Sequence, residues 1–319
     1  MPLFSSHRET IKSYLRTILA GPAKMLLLLP KLLFCLHSIK LISAVTFDFS
    51  LIYFVPNNTR QHQFPARREI SEGLRNATTI VLNQQVPMIL RSFDVSFARN
   101  LESLSLHDCG INEIESGSFK NLSSLKHLNI TKNNIKIIKD DIFNHMGVNV
   151  LNLSYNKLAT ISPSAFDNMA NLTDLILDYN ELTSYSIWFE NCPKLITISL
   201  QFNFIQYLPA GIYANLLDHK LKAYFSYNKI NKIHEDLFDV EEFTDLYLDH
   251  NELEEFDFTL CKIDTLSLQT NQIECLSEEF IKNEVGKVTR FFLGDNPINC
   301  SCYDQLSTIQ NMLVSFSEC

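Results

Sequence analysis

Positive charge is scarce in this sequence, and charged residues are few in general. Lys and Arg number 27 against 36 Asp and Glu, which gives a formal net charge of −9. Binding to nucleic acid needs a basic surface, so no nucleic-acid partner is predicted. Charged residues make up 20% of the chain and hydrophobic residues 46%, which argues against long disorder and allows a large core.

Catalytic and metal-binding motifs are missing as well. H-E-x-x-H, G-x-S-x-G, the P-loop and G-x-G-x-x-G do not occur in the sequence. The nine histidines show no ligand spacing, and the carboxylates form no pair that would support acid–base chemistry. We therefore predict no enzyme activity, no catalytic residue, no metal site and no cofactor.

Long apolar segments are confined to the first fifty residues. The stretch MLLLLPKLLFCLHSIKLISA starts at Met25, follows a cationic Lys24 and ends at Ala44, where a signal peptidase could cut. Proline and lysine interrupt it, which makes it a poor permanent membrane span. Residues 1–44 are therefore predicted to be an N-terminal extension and a signal peptide, with translation starting at Met1 or Met25. A signal anchor and a buried helix remain alternatives.

The remaining chain is predicted to be secreted without a stable membrane span, because no later segment is long and apolar enough to cross a bilayer. Asparagine sequons agree with secretion, since each places Ser or Thr two residues after Asn without an intervening proline. The predicted glycosylation sites are Asn57, Asn76, Asn121, Asn129, Asn152, Asn171 and Asn299.

A repeated pattern, L-x-x-L-x-L-x-x-N-x-L, dominates residues 77–299. Clear copies include LKHLNITKNNI and LTDLILDYNEL, and about ten copies follow one another at intervals of 20 to 25 residues. They start at Ala77, Leu101, Leu125, Val148, Leu172, Leu195, Lys220, Phe243, Ile263 and Val288. This period is the signature of a solenoid, in which each copy buries its apolar face against its neighbours.

The pattern resembles that of leucine-rich repeats. The predicted fold is an α/β solenoid: an arc with a parallel β-sheet on its concave face and an irregular or short-helical convex side. The conserved position of Asn in the copies is expected to satisfy backbone groups inside the turn. These residues are Asn133, Asn156, Asn180, Asn203, Asn228, Asn251, Asn271 and Asn296, with Gln85 and Cys109 in their place in the first two copies.

A second apolar position lies about seventeen residues after each start and is predicted to pack inside the convex side. It is occupied by Phe93, Phe119, Phe143, Phe166, Phe189, Ile212, Phe238 and Phe280. The copy that starts at Phe243 is predicted to lack this anchor and to turn more tightly.

Both ends of an open solenoid need caps. Residues 45–76 are predicted to be an N-terminal cap that contains a strand. Residues 296–319 contain NPINCSCY and a final cysteine, and they resemble the cysteine-rich C-terminal flank of extracellular leucine-rich-repeat proteins. This resemblance favours a Cys300–Cys319 disulfide. Cys302 is then unpaired, or bonded to another leucine-rich-repeat chain, or paired with a residue beyond position 319.

The strand residues that do not point into the core are predicted to form a concave binding face. One column on it is polar and is interpreted as solvated; it includes Asp178 and Asp249. The next column is aromatic in five successive copies, and Tyr224 and Tyr247 lie on the same face. The members of the aromatic column are Tyr155, Tyr179, Phe202, Tyr227 and His250. They are predicted either to anchor a partner or to stiffen the sheet.

From Met25 to Cys319 the chain resembles the secreted leucine-rich-repeat immune proteins of mosquitoes, in a short form without a coiled coil. The resemblance rests on the first copy, ATTIVLNQQ, and on copies such as LNLSYNKL. It implies recognition of a protein or microbial-surface ligand, or complement-like scaffolding, in body fluid. Two alternatives stay open: a receptor or adhesion ectodomain whose membrane anchor lies elsewhere, and a protease-inhibiting or matrix-binding protein.

Overall fold

The computed structural model describes most of the repeat region and short parts of the flanks. The described residues are 51–55, 58–62, 77–82, 88–90, 98–186, 188, 191–210, 213, 216, 220–299, 302, 306 and 312–313. The predicted signal peptide, residues 1–44, lies outside them.

Thirteen of the described strands form one main sheet, in the order β19-β18-β17-β16-β14-β12-β11-β9-β7-β5-β3-β1-β2. From β3 to β19 neighbouring strands are parallel, and each repeat contributes one strand. The bounds of these strands are Leu51–Val55 (β1), Asn58–His62 (β2), Thr79–Leu82 (β3), Ser103–Leu106 (β5), His127–Asn129 (β7), Val150–Asn152 (β9), Asp174–Ile176 (β11), Thr197–Ser199 (β12), Lys220–Tyr224 (β14), Glu242–Tyr247 (β16), Lys262–Ser267 (β17), Val288–Phe292 (β18) and Met312–Leu313 (β19).

Shorter parallel pairs follow the main strands in several repeats. They join β4 with β6, β8 with β10 and β13 with β15. Their bounds are Met88–Leu90 (β4), Ile111–Ile114 (β6), Ile137–Ile138 (β8), Thr160–Ile161 (β10), Tyr207–Leu208 (β13) and Lys232–Ile233 (β15). Helix is sparse in the described residues: α1 spans Glu278–Asn283, and 3-10 turns span Glu235–Phe238 and Val285–Lys287.

The predicted core column is confirmed. Leu104, Leu128, Leu151 and Leu175 are direct neighbours in the register of the main sheet, and all four are buried. One repeat exposes this apolar edge on its own, so the stacking of neighbours removes it from water. The described repeat region is thus a parallel-stranded solenoid, as predicted, and it contains little helix.

The asparagine ladder connects successive repeats by hydrogen bonds. In Asn203 the amide nitrogen donates to the carbonyl oxygens of Leu177 and Leu200, each at 3.1 Å. Its amide oxygen accepts the backbone N–H of Leu182 at 3.1 Å. The same arrangement repeats at Asn133, Asn156, Asn180, Asn228, Asn251, Asn271 and Asn296. Each carboxamide therefore satisfies strand and turn groups that the backbone alone leaves unpaired.

The convex anchors are buried wherever the structure describes them. Phe119, Phe143 and Phe166 stack in sequence, with ring centroids 5.6 Å and 5.9 Å apart. Phe238 and Phe280 are also buried, whereas Phe93, Phe189 and Ile212 lie outside the described residues. The prediction that the copy at Phe243 lacks this anchor was wrong, because Leu260 occupies the anchor position and is buried.

The two ends of the solenoid are built differently. At the N-terminal end β1 pairs antiparallel with both β2 and β3, so a hairpin extends the sheet. At the C-terminal end Cys302 forms a disulfide with Cys275, 27 residues earlier. This pairing overturns the expected options for Cys302, including a bond to another chain, because its sulfur is already bonded within this chain. Cys300 and Cys319 lie outside the described residues, so their bridge stays a prediction.

Three further described cysteines lie outside this disulfide: Cys109, Cys192 and Cys261. Burial is the main cause that raises the pKa of the Cys192 and Cys261 thiols to about 11. A thiol reacts through its thiolate, so these groups are expected to be inert in the folded chain.

We expect iodoacetamide at pH 8 to leave Cys109, Cys192 and Cys261 unmodified in the native protein and to label all three in urea. Peptide mass spectrometry measures both states. A Thr183→Cys variant is the positive control, since Thr183 is exposed. Native labelling of Cys192 as fast as that of the introduced cysteine would contradict the assignment.

Candidate binding face

The side of the main sheet opposite the core is the open face, which the sequence predicts to be concave. Alternate strand residues point to it, as the burial of β7, β9 and β11 shows: the central residue is buried and the flanking ones are partly exposed. Parallel register places equivalent residues of successive repeats side by side. Columns read from the sequence are therefore columns in space.

The predicted aromatic column forms one continuous stack, which we call the aromatic ladder. Ring centroids of Tyr155, Tyr179, Phe202 and Tyr227 are 4.1 to 4.2 Å apart, and the planes are within 9° of parallel. The ring of His250 continues the stack 3.9 Å beyond Tyr227. Tyr155, Tyr179 and Tyr227 are exposed by 45%, 39% and 42%.

The inner rings cover one another's faces, so the ladder presents ring edges and phenol groups to solvent. Its first ring is not bare either, because the ammonium group of Lys132 lies 5.9 Å from the centroid of Tyr155. This cation–π contact was missed from the sequence because only aromatic members of the column were considered. Lys132 occupies the position of the aromatic column in the copy before that of Tyr155, so the sequence could have predicted the contact.

The backbone of the ladder is unusual for aromatic residues. Tyr155, Tyr179, Phe202, Tyr227 and His250 all have φ between 54° and 58°. This left-handed region suits Gly, Asn and Asp, and it costs a bulky residue roughly 1 kcal/mol or more. Other copies place Asp108, Lys132, Thr270 and Asp295 in the same conformation. The turn therefore accepts polar residues that are not aromatic, and five successive aromatic rings are not a requirement of the fold.

The polar column beside the ladder is internally bonded, which corrects its interpretation as a freely solvated row. The carboxylate of Asp178 accepts the hydroxyl of Ser199 at 2.6 Å and the backbone N–H of Gln201 at 2.9 Å. Burial outweighs these bonds and raises the pKa of Asp178. In Asp249 one oxygen accepts the hydroxyl of Ser226 at 2.7 Å. Short side chains on adjacent strands are close enough to satisfy each other.

Asp249 also orients the end of the ladder. Its second carboxylate oxygen lies 3.0 Å from Nδ1 of His250. This contact fixes the plane of the last ring, so Asp249 acts on the ladder through His250. The carboxylates of the predicted members Asp178 and Asp249 are therefore engaged by neighbouring groups of the open face, and their main role is to hold those groups in position.

Tyr224 and Tyr247 form a separate pair on β14 and β16. Their centroids are 5.4 Å apart, and the hydroxyl of Tyr224 donates to the carboxylate of Asp245 at 3.1 Å. Burial, followed by the charge of Asp245, raises the pKa of Tyr224 to about 12. Tyr224 thus keeps its proton at any physiological pH and holds Asp245 in place. No ring contact joins this pair to the aromatic ladder among the described residues.

The sequons fall on different surfaces. Asn129 and Asn152 are register partners in β7 and β9 and are partly buried on the open face. The amide oxygen of Asn152 accepts both the backbone N–H and the hydroxyl of Ser154. Asn121 and Asn299 are exposed, and Asn171 is partly exposed just before β11. Asn57 and Asn76 lie outside the described residues.

The described geometry offers recognition chemistry on an open surface. Ring edges, phenol groups and a lysine lie in one row, and no group of three His, Cys, Asp or Glu side chains among the described residues could hold a metal ion. Within the same residues, no helix has both the length and the apolarity that a bilayer span needs.

A family model described as leucine rich repeat matches residues 99–158 and 140–182. These segments contain the copies whose strands, asparagine ladder and buried anchors are described above. Residues 99–182 thus match the leucine-rich-repeat family.

Two known proteins are similar to part of this chain. Lumican of Gallus gallus is 29% identical over 192 residues, covering 56% of this chain and 54% of lumican. The leucine-rich repeat transmembrane protein FLRT2 of Homo sapiens is 31% identical over 138 residues, covering 42% of this chain and 20% of FLRT2. The chain thus spans about half the length of lumican and a fifth of FLRT2.

A solved structure of the Drosophila Toll–Spatzle complex has the same fold. It superposes with a TM-score of 0.60 at 24% sequence identity, covering 72% of this chain and 33% of that chain. At this identity the likeness concerns the fold alone.

Proposed function

We propose that this leucine-rich-repeat protein is a secreted, non-enzymatic binding protein that recognises a protein or a microbial surface through the aromatic ladder on its open face. The exposed, continuous stack of Tyr155, Tyr179, Phe202, Tyr227 and His250 is the observation that carries the proposal. Large exposed aromatic rings are frequent anchors of protein interfaces.

Stacking strengthens this proposal. Rings held parallel by their neighbours have already lost most of their rotamer freedom, so a partner orders few side chains when it binds. The left-handed backbone adds a second argument, because aromatic residues occupy positions where Asp or Asn would cost less free energy. Stiffening of the sheet and binding of a partner use the same geometry, and the ladder serves both.

The cellular role that we favour is innate immune recognition or complement-like scaffolding in body fluid. It rests on the resemblance to secreted mosquito immune proteins and agrees with a disulfide, which persists in oxidising compartments. In the superposed Toll structure the repeat protein is in complex with a protein, Spatzle. A membrane-receptor ectodomain is the second candidate, favoured by the similarity to a transmembrane repeat protein.

The test compares capture by three forms of the protein from native body fluid and on microbial cells. We expect the Tyr179→Ser/Tyr227→Ser variant to bind the captured ligand about 10- to 30-fold more weakly than wild type, as loss of interface anchors predicts. Ile196→Ser is the matched control, since Ile196 is 39% exposed but lies outside the ladder. Biolayer interferometry with the identified ligand measures the three affinities.

Equal affinity of the ladder variant and wild type would remove the aromatic ladder as the binding site. Capture of a single protease that becomes inhibited, or of a matrix component, would replace the immune role by the inhibitor or matrix-binding alternative.

A further inference from the structure

A second surface lies beside the sheet, where each copy continues after its ladder asparagine. In the pattern N-x-L-x-x-L the two apolar residues are buried, and the three x positions point outward in successive copies. The short pairs β8–β10 and β13–β15 show this alternation, since the first residue of each strand is exposed and the second is buried. We call the surface formed by these three columns the flank.

Backbone hydrogen bonds keep the flank in register from copy to copy. The N–H groups of Lys157, Glu181, Phe204, Lys229 and Glu252 each donate to a carbonyl of the preceding copy at 2.8 to 3.0 Å. Equivalent flank residues of adjacent copies therefore lie about 4.8 Å apart, the usual strand spacing. The order of charges along the sequence is thus also their order along the flank.

The centre of the flank is aromatic. Phe204 and Tyr207, both in the copy at Leu195, are exposed by 45% and 37%. The ammonium groups of Lys229 and Lys232, one copy later, lie 5.4 Å and 5.9 Å from the centroids of these rings. This patch is separate from the aromatic ladder, whose member in the same copy is Phe202.

Charges on either side of this centre have opposite signs at equal distances. One copy from the centre, the flank carries Glu181 on the N-terminal side and Lys229 and Lys232 on the C-terminal side. Two copies from the centre, it carries Lys157 on the N-terminal side and three glutamates on the C-terminal side. Three copies from the centre, it carries Lys136 on the N-terminal side and Glu274 on the C-terminal side. The three glutamates are Glu252, Glu254 and Glu255.

These charges have no ionic partner of their own. The ion pairs of the described residues include none of the flank groups just named; they involve other side chains, such as Lys139 with Glu113. The flank columns from the copy at Leu101 to the copy at Ile263 also contain no sequon. From the copy at Leu125 to the copy at Ile263, the charged flank residues therefore take part in none of the ion pairs of the described residues, and the flank carries no predicted glycan.

We propose that the flank is a self-association surface that takes a second copy of this chain, turned by 180° about an axis through Phe204 and Tyr207. With this two-fold axis, each copy on the N-terminal side of Phe204 and Tyr207 faces the copy that lies equally far on their C-terminal side in the second chain. Phe204 and Tyr207 then face their own counterparts, and every charged copy faces a copy of opposite sign. Like-charged copies would meet instead if the second chain ran in the same direction.

The size of the flank predicts how strong this dimer is. Six repeat steps and a width of three residues span roughly 30 Å by 10 Å, or about 300 Å² per copy, well below the ~800 Å² per partner of a standard interface. We therefore expect a weak dimer that forms at high concentration and low salt. It leaves both open faces accessible, and two linked faces bind a repetitive surface more tightly than one.

Sedimentation equilibrium at about 100 µM protein tests the association. We expect a monomer–dimer equilibrium whose dissociation constant rises at least tenfold between 20 mM and 500 mM NaCl, because exposed charges are screened. Tyr207→Ser is expected to weaken the dimer about tenfold. Tyr179→Ser, at nearly equal exposure on the aromatic ladder, is the control and is expected to leave it unchanged.

Charge reversal decides the geometry. Glu252→Lys/Glu255→Lys and Lys157→Glu each place like charges against one another in a homodimer, so each variant alone is expected to dimerise less than wild type. Mixed together, the two variants face each other with opposite charges at both contacts, and dimerisation is expected to return. Melting temperatures equal to that of wild type verify that both variants are folded.

Three results would overturn the proposal: a wild-type protein that stays monomeric at low salt, masses that grow beyond the dimer, or a mixture that associates no better than its components. None of these results depends on the ligand of the open face, so the two proposals stand or fall separately.

Discussion

Replacing Phe143 with alanine is expected to lower the free energy of unfolding by about 3–5 kcal/mol, as truncation of a fully buried phenylalanine does. Phe143 has no exposed surface and stacks between Phe119 and Phe166, so the variant leaves a cavity with a ring on each side. Neighbouring repeats cannot close this cavity, because the asparagine ladder and the strand register fix their spacing.

Equilibrium unfolding in urea, followed by far-UV circular dichroism, measures this loss. Phe204→Ala is the matched control, because the same side chain is removed from an exposed position. We expect the control to change the free energy of unfolding by less than about 0.5 kcal/mol. Similar losses in the two variants would show that the convex phenylalanines are not a core.

The second large effect is expected at the asparagine ladder. In Asn203→Ala the N–H of Leu182 and the carbonyls of Leu177 and Leu200 lose their side-chain partner in a buried turn. A buried polar group left unsatisfied costs about 1–3 kcal/mol, so a total of about 3 kcal/mol is expected. Asn231→Ala, at an exposed position, is expected to be nearly neutral.

A conservative variant separates hydrogen bonding from packing at this position. Asn203→Asp keeps the shape of the side chain but turns the donor into an oxygen that faces two carbonyl oxygens. We expect it to be at least as unstable as Asn203→Ala at pH 7 in the same urea experiment. Wild-type stability in Asn203→Asp would mean that the ladder acts only by filling space.

The main features of the solenoid could be predicted from the sequence because they recur. A residue such as Leu128 has equivalents in the neighbouring copies, and a fixed period brings equivalents into contact whatever the details of one copy. The aromatic ladder was predicted for the same reason, since Tyr155, Tyr179 and Tyr227 precede ladder asparagines in their copies. Its predicted binding role remains a proposal, because the same stacking geometry also fits a ladder that only stiffens the sheet.

Features that occur once were not predictable in this way. Cys275 and Cys302 are 27 residues apart and belong to different segments, so only the winding of the last copies brings them together. The bonds of Asp178 depend on short side chains across strands, which a reading of one column at a time does not reveal. Leu260 was overlooked because the anchor of its copy is not aromatic.

The disulfide affects how this solenoid comes apart. A stack held only by adjacent layers unravels from its ends, where the outermost layer has a single neighbour. The Cys275–Cys302 bond clasps the layer that starts at Val288, because that layer lies inside the loop that the bond closes. We therefore expect a pulling force or a protease to unfold the repeats at the N-terminal end before the layer that the disulfide encloses.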